Sequence, residues 1–295
     1  MAEKFDISVC VCTYRRPQLL ARLLRELERQ STGGLFTYGI VVVDNDSERS
    51  AAGTLEDFRG RSPVPLHHCH EPEQNIALAR NRAVANAGGE FIAFIDDDEV
   101  PGADWLLNLY RTCNDYGADG VLGPVVPRYE AAAPGWVLRG KFHERPTHGT
   151  GTVLHWRQTR TGNALLRRGV LNGGEGPFRR EFGRGGEDTD FFRRAAARGF
   201  RFVWCNEAPV YEAVTAERCT RSFFLRRALL RGQAPYFGAM DYAKSLAAVP
   251  VYTAALPFLL VAGQHLFMKY LIKDFDHIGR LLALFGIDVV GEDRA

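Results

Sequence analysis

Phe91-Ile92-Ala93-Phe94-Ile95, followed at once by Asp96-Asp97-Asp98, is the stretch that decides how the rest of the chain reads. An uncharged run rich in β-forming residues and too short for a helix predicts a strand buried on both faces, as in the middle of a parallel sheet. The carboxylates at its end would repel one another unless a cation sits among them. The crevice beyond the strand ends is also where open α/β sheets bind ligands. Oxygen-only donors favour Mg2+ or Mn2+, held by one or two carboxylates together with the phosphates of a substrate. On position alone, the alternative is an acidic loop capping the next helix.

Working outward, strand and helix patterns alternate. Residues 7–11 form an apolar run, and 16–30 carry Leu19, Leu20, Leu23, Leu24 and Leu27 at helical spacing. A second strand over 39–43 ends at Asp44-Asn45-Asp46-Ser47, and a weaker one covers 64–68. The helix pattern 75–87 is stopped by Gly88-Gly89. Such alternation predicts a mostly parallel, right-handed sheet of the nucleotide-binding type. It breaks after Gly123-Pro124. Residues 127–161 show no sustained period, and long loops in compact domains are more often functional than idle. Beyond them come a strand at 162–167, a glycine-rich mobile stretch at 169–186, a helix at 187–198, an extended segment at 200–204 and a basic helix at 218–231.

With 295 residues and 46% hydrophobic composition, a substantial core is available. A net charge of +2 gives no footprint for nucleic acid. The six cysteines include no CxxC pair, so neither a zinc cage nor a disulfide framework is indicated. Cys10 and Cys12 share a strand face and read as core. His67-His68-Cys69-His70 has the composition of a metal tract, but strand alternation splits it between two faces. The first eight residues lack a signal-peptide apolar region, so a cytosolic, reduced setting is expected. From Ser245 to Met268 there is no Asp, Glu, Lys or Arg, with Lys244 and Lys269 at the borders. That length suits a membrane span, whereas Pro250, Pro257, Gln264 and His265 suit a kinked helix pair lying on the bilayer. A buried or dimer-forming helix is the third possibility. Arg221, Arg226, Arg227 and Arg231 just upstream suit an anionic cytoplasmic leaflet.

Further motifs accompany the aspartates. The first strand ends in Thr13-Tyr14-Arg15-Arg16-Pro17, giving an aromatic ring and guanidinium groups at a strand end. Asp44-Asn45-Asp46 can accept hydrogen bonds from a base or ribose. Ala77-Leu78-Ala79-Arg80-Asn81 brings a cation toward the same edge. Gly185-Gly186-Glu187-Asp188-Thr189-Asp190 places carboxylates at a helix N-terminus. No GxGxxG or P-loop motif is present.

This ordered series, with Gly162-Asn163-Ala164-Leu165-Leu166 between, resembles the family 2 glycosyltransferases of the GT-A fold over about residues 5–230, and most of all the bacterial exopolysaccharide glucosyltransferases of the succinoglycan type. The resemblance implies an α/β GT-A fold with a C-terminal helical hydrophobic extension. Residues 1–125 would form the nucleotide-sugar half and 126–232 the acceptor and base half. The extension, 233–295, would be membrane-associated. The implied activity is metal-dependent, inverting, single-sugar transfer from a UDP-sugar, with glucose the expected sugar. The implied acceptor is a polyprenyl-diphosphate-linked oligosaccharide at the cytoplasmic membrane surface.

By position in the motifs, Thr13, Tyr14, Arg16, Asp44, Arg80, Asp96 and Asp97 would hold the donor, with Tyr14 near the base and Asp44 reading it. Asp98 would bind Mg2+ or Mn2+. Asp188 resembles the catalytic base, with Glu187 positioning the acceptor hydroxyl. Asn163 falls on the acceptor side, and Trp136 and Trp156 are candidate sugar platforms or loop anchors. An aspartate is ionised at neutral pH, and a helix N-terminus favours that form. Two departures stand out. Tyr211 occupies the position of an expected metal-completing His, leaving Glu212 as the substitute ligand, and Gln233-Ala234-Pro235 replaces the QxxRW of processive synthases. The competing readings are a sugar-nucleotide nucleotidyltransferase, whose glycine-rich N-terminal loop is missing at 13–17, and a silent carbohydrate-binding or scaffold subunit. The latter has no use for Asp98 and Asp188 together.

Overall fold

The computed structural model describes residues 5–173, 176–183, 185–233 and 237–287. In chain order the elements are β1 (Ile7–Thr13), α1 (Pro17–Leu27), β2 (Tyr38–Asp44), α2 (Ala52–Arg61), β3 (Leu66–His70), α3 (Ile76–Asn86), β4 (Phe91–Ile95) and β5 (Glu99–Pro101). There follow α4 (Trp105–Asp115), β6 (Gly120–Leu122), β7 (Val125–Tyr129), α5 (Gly135–Gly140), β8 (Asn163–Arg167), α6 (Glu187–Ala197), β9 (Phe202–Trp204) and β10 (Val210–Val214). The last helices are α7 (Arg221–Gly232), α8 (Ala239–Ala262) and α9 (Gln264–Leu284).

Contacts divide the chain into two compact units, Met1–Val126 with Arg145–Glu212, and Pro127–Glu144 with Ala213–Ala295. This division does not follow the expected split at 125, since residues 145–212 join the first 126 and residues 127–144 join the C-terminal helices. α7 groups with α8 and α9 rather than with residues 145–212.

In the first unit a seven-stranded sheet runs in the order β3-β2-β1-β4-β8-β6-β9. β1 pairs parallel with both β2 and β4, while β8 is antiparallel to β4 and β6. Every residue of β4 is buried, as expected of a strand with apolar neighbours on both faces. β1 and β2 extend past their apolar runs because Thr13 still pairs with Asp44 in the ladder. The third strand lies two residues later than its hydrophobicity suggests, since pairing with β2 fixes the register from Leu66 to His70.

Local signals explain the helix ends that face the strand tips. Pro17 opens α1, where its missing N–H costs nothing. Asn75 caps α3, its side chain accepting from the N–H groups of Ala77 and Leu78. Gly89, at φ 77°, follows α3, and a Cβ there would strike the carbonyl oxygens of Phe5 and Asp6. Two helices of this unit, α2 and α4, have no counterpart in the sequence reading. α2 buries only Leu55 and Phe58, too few for a clear period.

The irregular stretch 127–161 holds the end of β7, α5 and a 3-10 turn at Trp156–Gln158. Part of the glycine-rich stretch 169–186, namely 174, 175 and 184, lies outside the described residues, as do Ala234, Pro235 and the end of the extension from 288.

The second unit is built around Trp136, Val137, Val214, Cys219, Phe224 and Met268. Its long helices, α8 and α9, are joined by Gly263 alone. Ser245 meets His277 at 3.0 Å and Thr253 donates to Asp274 at 2.9 Å, so the two helices run as an antiparallel hairpin. A helix pair is present, but Pro250 and Pro257 lie inside α8, the break falls at Gly263, and α9 runs on to Leu284, well past the charge-free stretch.

Candidate active site

The carboxyl ends of β1 and β4 lie side by side, and the acidic turn after β4 is matched group by group. Thr13 Oγ1 donates to Asp97 Oδ2 at 2.7 Å, and Arg16 reaches Asp97 Oδ1 at 3.2 Å and Asp98 Oδ2 at 3.5 Å. Asp97 is buried, and that burial raises its pKa against the pull of Arg16 and Thr13. The backbone N–H of Asp96 donates to Glu99 Oε2 at 3.1 Å. Glu99 is buried too, and desolvation with Asp96 nearby pushes its carboxyl well above the usual range. Its neighbour across the β5–β10 ladder is Glu212, which Arg145 pairs at 3.0 Å. Arg160 also lies among these acids, its pKa lowered by desolvation and by Arg145, and raised by Asp188, Glu212 and Glu99.

Arg80, on α3, links this turn to α6. Its guanidinium is buried, contacts Asp96 at 3.3 Å and forms an ion pair with Glu187 in the first turn of α6. The Phe178 ring lies 5.9 Å from the guanidinium carbon. Gly186 caps α6 at φ 88°, and Glu187, Asp188 and Asp190 fill its first turn, where a helix dipole favours negative charge. Their roles in the fold differ. Asp190 is fully buried and held by Arg194 at 2.8 Å and Arg193 at 3.1 Å. Asp188 is only half-buried, its Oδ1 accepting from the N–H of Thr189.

On the β2 side, Tyr14 is half-buried beside Arg15, whose guanidinium lies 5.2 Å from the Tyr14 ring and pairs with Asp46 at 3.1 Å. Arg15 has φ 53°, an uncommon conformation for a residue with a side chain, and it turns the chain sharply at the end of β1.

The structure brings Thr13, Arg16, Arg80, Asp96, Asp97, Asp98 and Glu187 into one connected set, with Asp188 next in the α6 turn. Several expected residues are placed otherwise. Asp44 is fully buried, and its two oxygens accept from the backbone N–H groups of Asp46 and Ala51, which fixes the loop after β2. Asn163 is equally buried and wholly engaged, accepting from Trp105 Nε1 at 2.8 Å and donating to the carbonyls of Pro124 and Ala208. It braces the sheet and offers nothing to an acceptor. Trp136 is buried in the second unit against Phe142 and Phe224, so its ring has no open face for a sugar. Trp156 is partly buried with Arg157 stacked at 4.3 Å, the loop-anchor alternative. Glu212 is paired with Arg145.

Sequence reasoning missed Glu99, Arg145, Arg160 and the Arg15–Asp46 pair. Glu99 extends the acidic run by one residue and was legible. Arg145 and Arg160 sit in an irregular stretch where no period marks them.

Among the described residues no group of three or more His, Cys, Asp or Glu side chains is placed to hold a metal. The donor chemistry at the turn nevertheless fits a hard divalent cation that takes one or two carboxylates and completes its shell with phosphate and water. Asp96, with nearly half of its side chain exposed, and Asp98, beside Arg16, would supply oxygens for that role.

The chain matches known proteins. A family model described as Glycosyl transferase family 2 matches residues 8–173. The chain belongs to glycosyl transferase family 2. Succinoglycan biosynthesis protein ExoM of Rhizobium meliloti (strain 1021) is 38% identical to it over 233 residues, 78% of this chain and 74% of that protein. Glucosyl-dolichyl phosphate glucuronosyltransferase of Haloferax volcanii is 30% identical over 131 residues, 43% of this chain and 41% of that one. The mannosyltransferase PcManGT from Pyrobaculum calidifontis, solved with GDP-Man and Mn2+, has TM-score 0.65 at 19% identity, covering 97% of this chain and 89% of that one. S. aureus TarS 1-349 in complex with UDP has TM-score 0.55 at 17% identity, covering 97% and 94%. The fold of this glycosyltransferase is therefore the GT-A type expected, a mainly parallel sheet flanked by helices.

Proposed function

We propose that this glycosyltransferase moves one sugar, glucose, from a UDP-sugar to a polyprenyl-diphosphate-linked oligosaccharide, with inversion, during bacterial surface polysaccharide synthesis at the cytoplasmic membrane. The observation that carries the reading is Arg80, whose one buried guanidinium touches both Asp96 and Glu187. The acidic turn and the helix end bearing Asp188 thus flank a single cation, as a diphosphate leaving group on one side and a base on the other require.

Transfer breaks the bond between the anomeric carbon and the phosphate oxygen, and the nucleoside diphosphate departs with the electron pair. The acceptor oxygen forms the new bond from the opposite face, and its proton passes to Asp188. Glu187, fixed by Arg80, sets the α6 terminus in place. Arg16 and Arg80 supply positive charge toward the diphosphate. Thr13 and Asp97 shape the ribose side, with Tyr14 near the base. Asp96 and Asp98 would hold Mg2+ or Mn2+. When bound, the ion neutralises charge developing on the leaving diphosphate. ExoM's name, with its place in succinoglycan biosynthesis, supports the polymer context, and the charge-free stretch at 245–268 supports the membrane setting. The absence of QxxRW supports a single addition.

The test is UDP release and product formation from UDP-glucose with a lipid-linked acceptor. Asp188→Asn is expected to lower turnover by at least ~10²-fold, the scale of general base catalysis, while UDP binding is retained; wild-type turnover would remove Asp188 as base. Asp98→Ala is expected to weaken Mn2+-dependent UDP binding, and an unchanged manganese titration would remove Asp98 as ligand.

A further inference from the structure

The second unit carries an apolar surface that its own fold leaves uncovered. α8 is long and apolar enough to cross a membrane, yet Ser245 is the only one of its residues that is buried. Phe258 is 78% and Val261 91% exposed, and Met240, Leu246, Val251 and Leu260 are exposed as well. At 100° per residue these six cover about half of the helix circumference. A single protein groove covers a stripe, whereas lipid covers a broad face.

Between half-buried apolar residues such as Val249, Leu256 and Leu259, α8 is tied to α9 by polar contacts. Ser245 bonds to His277 and accepts from Arg280 at 3.1 Å, Tyr252 stacks on His277, and Thr253 donates to the buried Asp274. α9 itself carries Lys269, Lys273, Asp276 and Arg280, and Lys269 and Lys273 are exposed. Neither helix is the amphipathic element by itself. The hairpin is, with α8 as its apolar layer and α9 as its charged one.

That geometry separates the two membrane modes. Thr253 lies in the middle of α8 and is tied to Asp274. A spanning α8 would therefore draw Lys269, Lys273, Asp274, Asp276 and Arg280 of α9 into the hydrocarbon, where ionised side chains are costly. Lying flat, α8 sinks into the boundary between headgroups and acyl chains, and α9 stays on the water side. The exposed Arg221, Arg226, Arg227 and Arg231 of α7, which packs on α9, add positive charge to this unit.

We infer that the α8–α9 hairpin docks the chain on an anionic bilayer in the plane of the membrane, α8 immersed along its length and nothing crossing to the far side. This rests on the membrane setting proposed above and supplies its mode. The full chain is floated with phosphatidylethanolamine–phosphatidylglycerol vesicles and with pure phosphatidylcholine vesicles. Wild type is expected to float with the anionic vesicles, and Phe258→Asp with Val261→Asp to lower that partition at least about tenfold while UDP release from UDP-glucose in solution stays unchanged.

Depth is read by placing Trp at Leu246, Val251 or Val261 and quenching with lipids brominated at shallow or deep acyl positions. Shallow quenching at all three sites supports in-plane docking. Deep quenching at Val251 means a span and overturns it. Absence of quenching, with sedimentation as a dimer, means a second copy covers α8 and overturns it too. If docking fails while transfer to a detergent-solubilised acceptor persists, the hairpin reading falls and the glycosyltransferase reading stands.

Discussion

The acidic turn after β4 and the outer face of α8 break the same rule in opposite directions. At the turn, Asp97 and Glu99 are buried and ionisable in a unit that has ample apolar residues to bury instead. Along α8, apolar side chains stand in the open. Their compensation also differs. Each acid at the turn has a near partner in Arg16, Thr13, Arg80 or a backbone N–H, so a small displacement leaves a charge without its counterpart. The α8 face has no such pairing to lose. Chemistry needs charges held in one geometry, whereas docking to a fluid surface needs only area.

The sharpest way to break this contrast is to remove the central cation. Arg80→Ala leaves Glu187 buried without its partner, and a loss of about 3–5 kcal/mol in unfolding free energy is expected from urea titration, together with loss of transfer. A mild effect would mean that the turn and α6 are not coupled through Arg80. Next is Asn163→Ala, which strands the Trp105 indole N–H and the Pro124 and Ala208 carbonyls. It should cost about 1–3 kcal/mol and leave UDP affinity, read by calorimetry, within about twofold once the folded fraction is accounted for.

On the opposite side of the contrast, Val261→Ser should change the unfolding free energy by less than about 0.5 kcal/mol in vesicle-free solution. A larger loss would show that α8 is covered.

The smallest effect concerns pH. Burial, with Arg280 alongside, lowers the pKa of His277 against the opposing Asp276 and Asp274, and Lys273 adds to the lowering. As pH falls through about 6.5, the ordinary imidazole value, the unfolded chain takes up a proton before the hairpin does. Stability present above that pH is therefore lost below it. A modest fall in Tm between pH 7 and pH 5.5, reduced in His277→Gln, is expected by calorimetry.

These residues also show how far a sequence can be read. β4 and its acids were legible because an apolar run ends abruptly in charge, and Arg80 because helical spacing aims it at the same edge. The charge-free stretch marked most of α8, but the break at Gly263 and the charged helix α9 were not announced by the prolines, which lie inside α8. The work of Asn163 was not, since its carbonyl partners come from residues 39 and 45 positions away and no local pattern announces them. Trp136 and Asp44 stayed ambiguous for a related reason. An aromatic ring and a carboxylate suit ligands and packing equally well, and only their neighbours decide. Arg145 and Arg160 escaped notice because an irregular segment leaves no period in which a functional residue stands out.

Arg80 also bears on how the protein comes to exist. Its two acidic partners lie 16 and 107 residues away in the chain. During synthesis the first emerges soon after it, but the second follows only when most of the catalytic unit has been made. Until then a guanidinium destined for the interior has one half-exposed carboxylate for company. The acidic turn and α6 are thus joined through a contact distant in sequence, and a chain cut short before α6 would lack the counter-ion that lets Arg80 be buried.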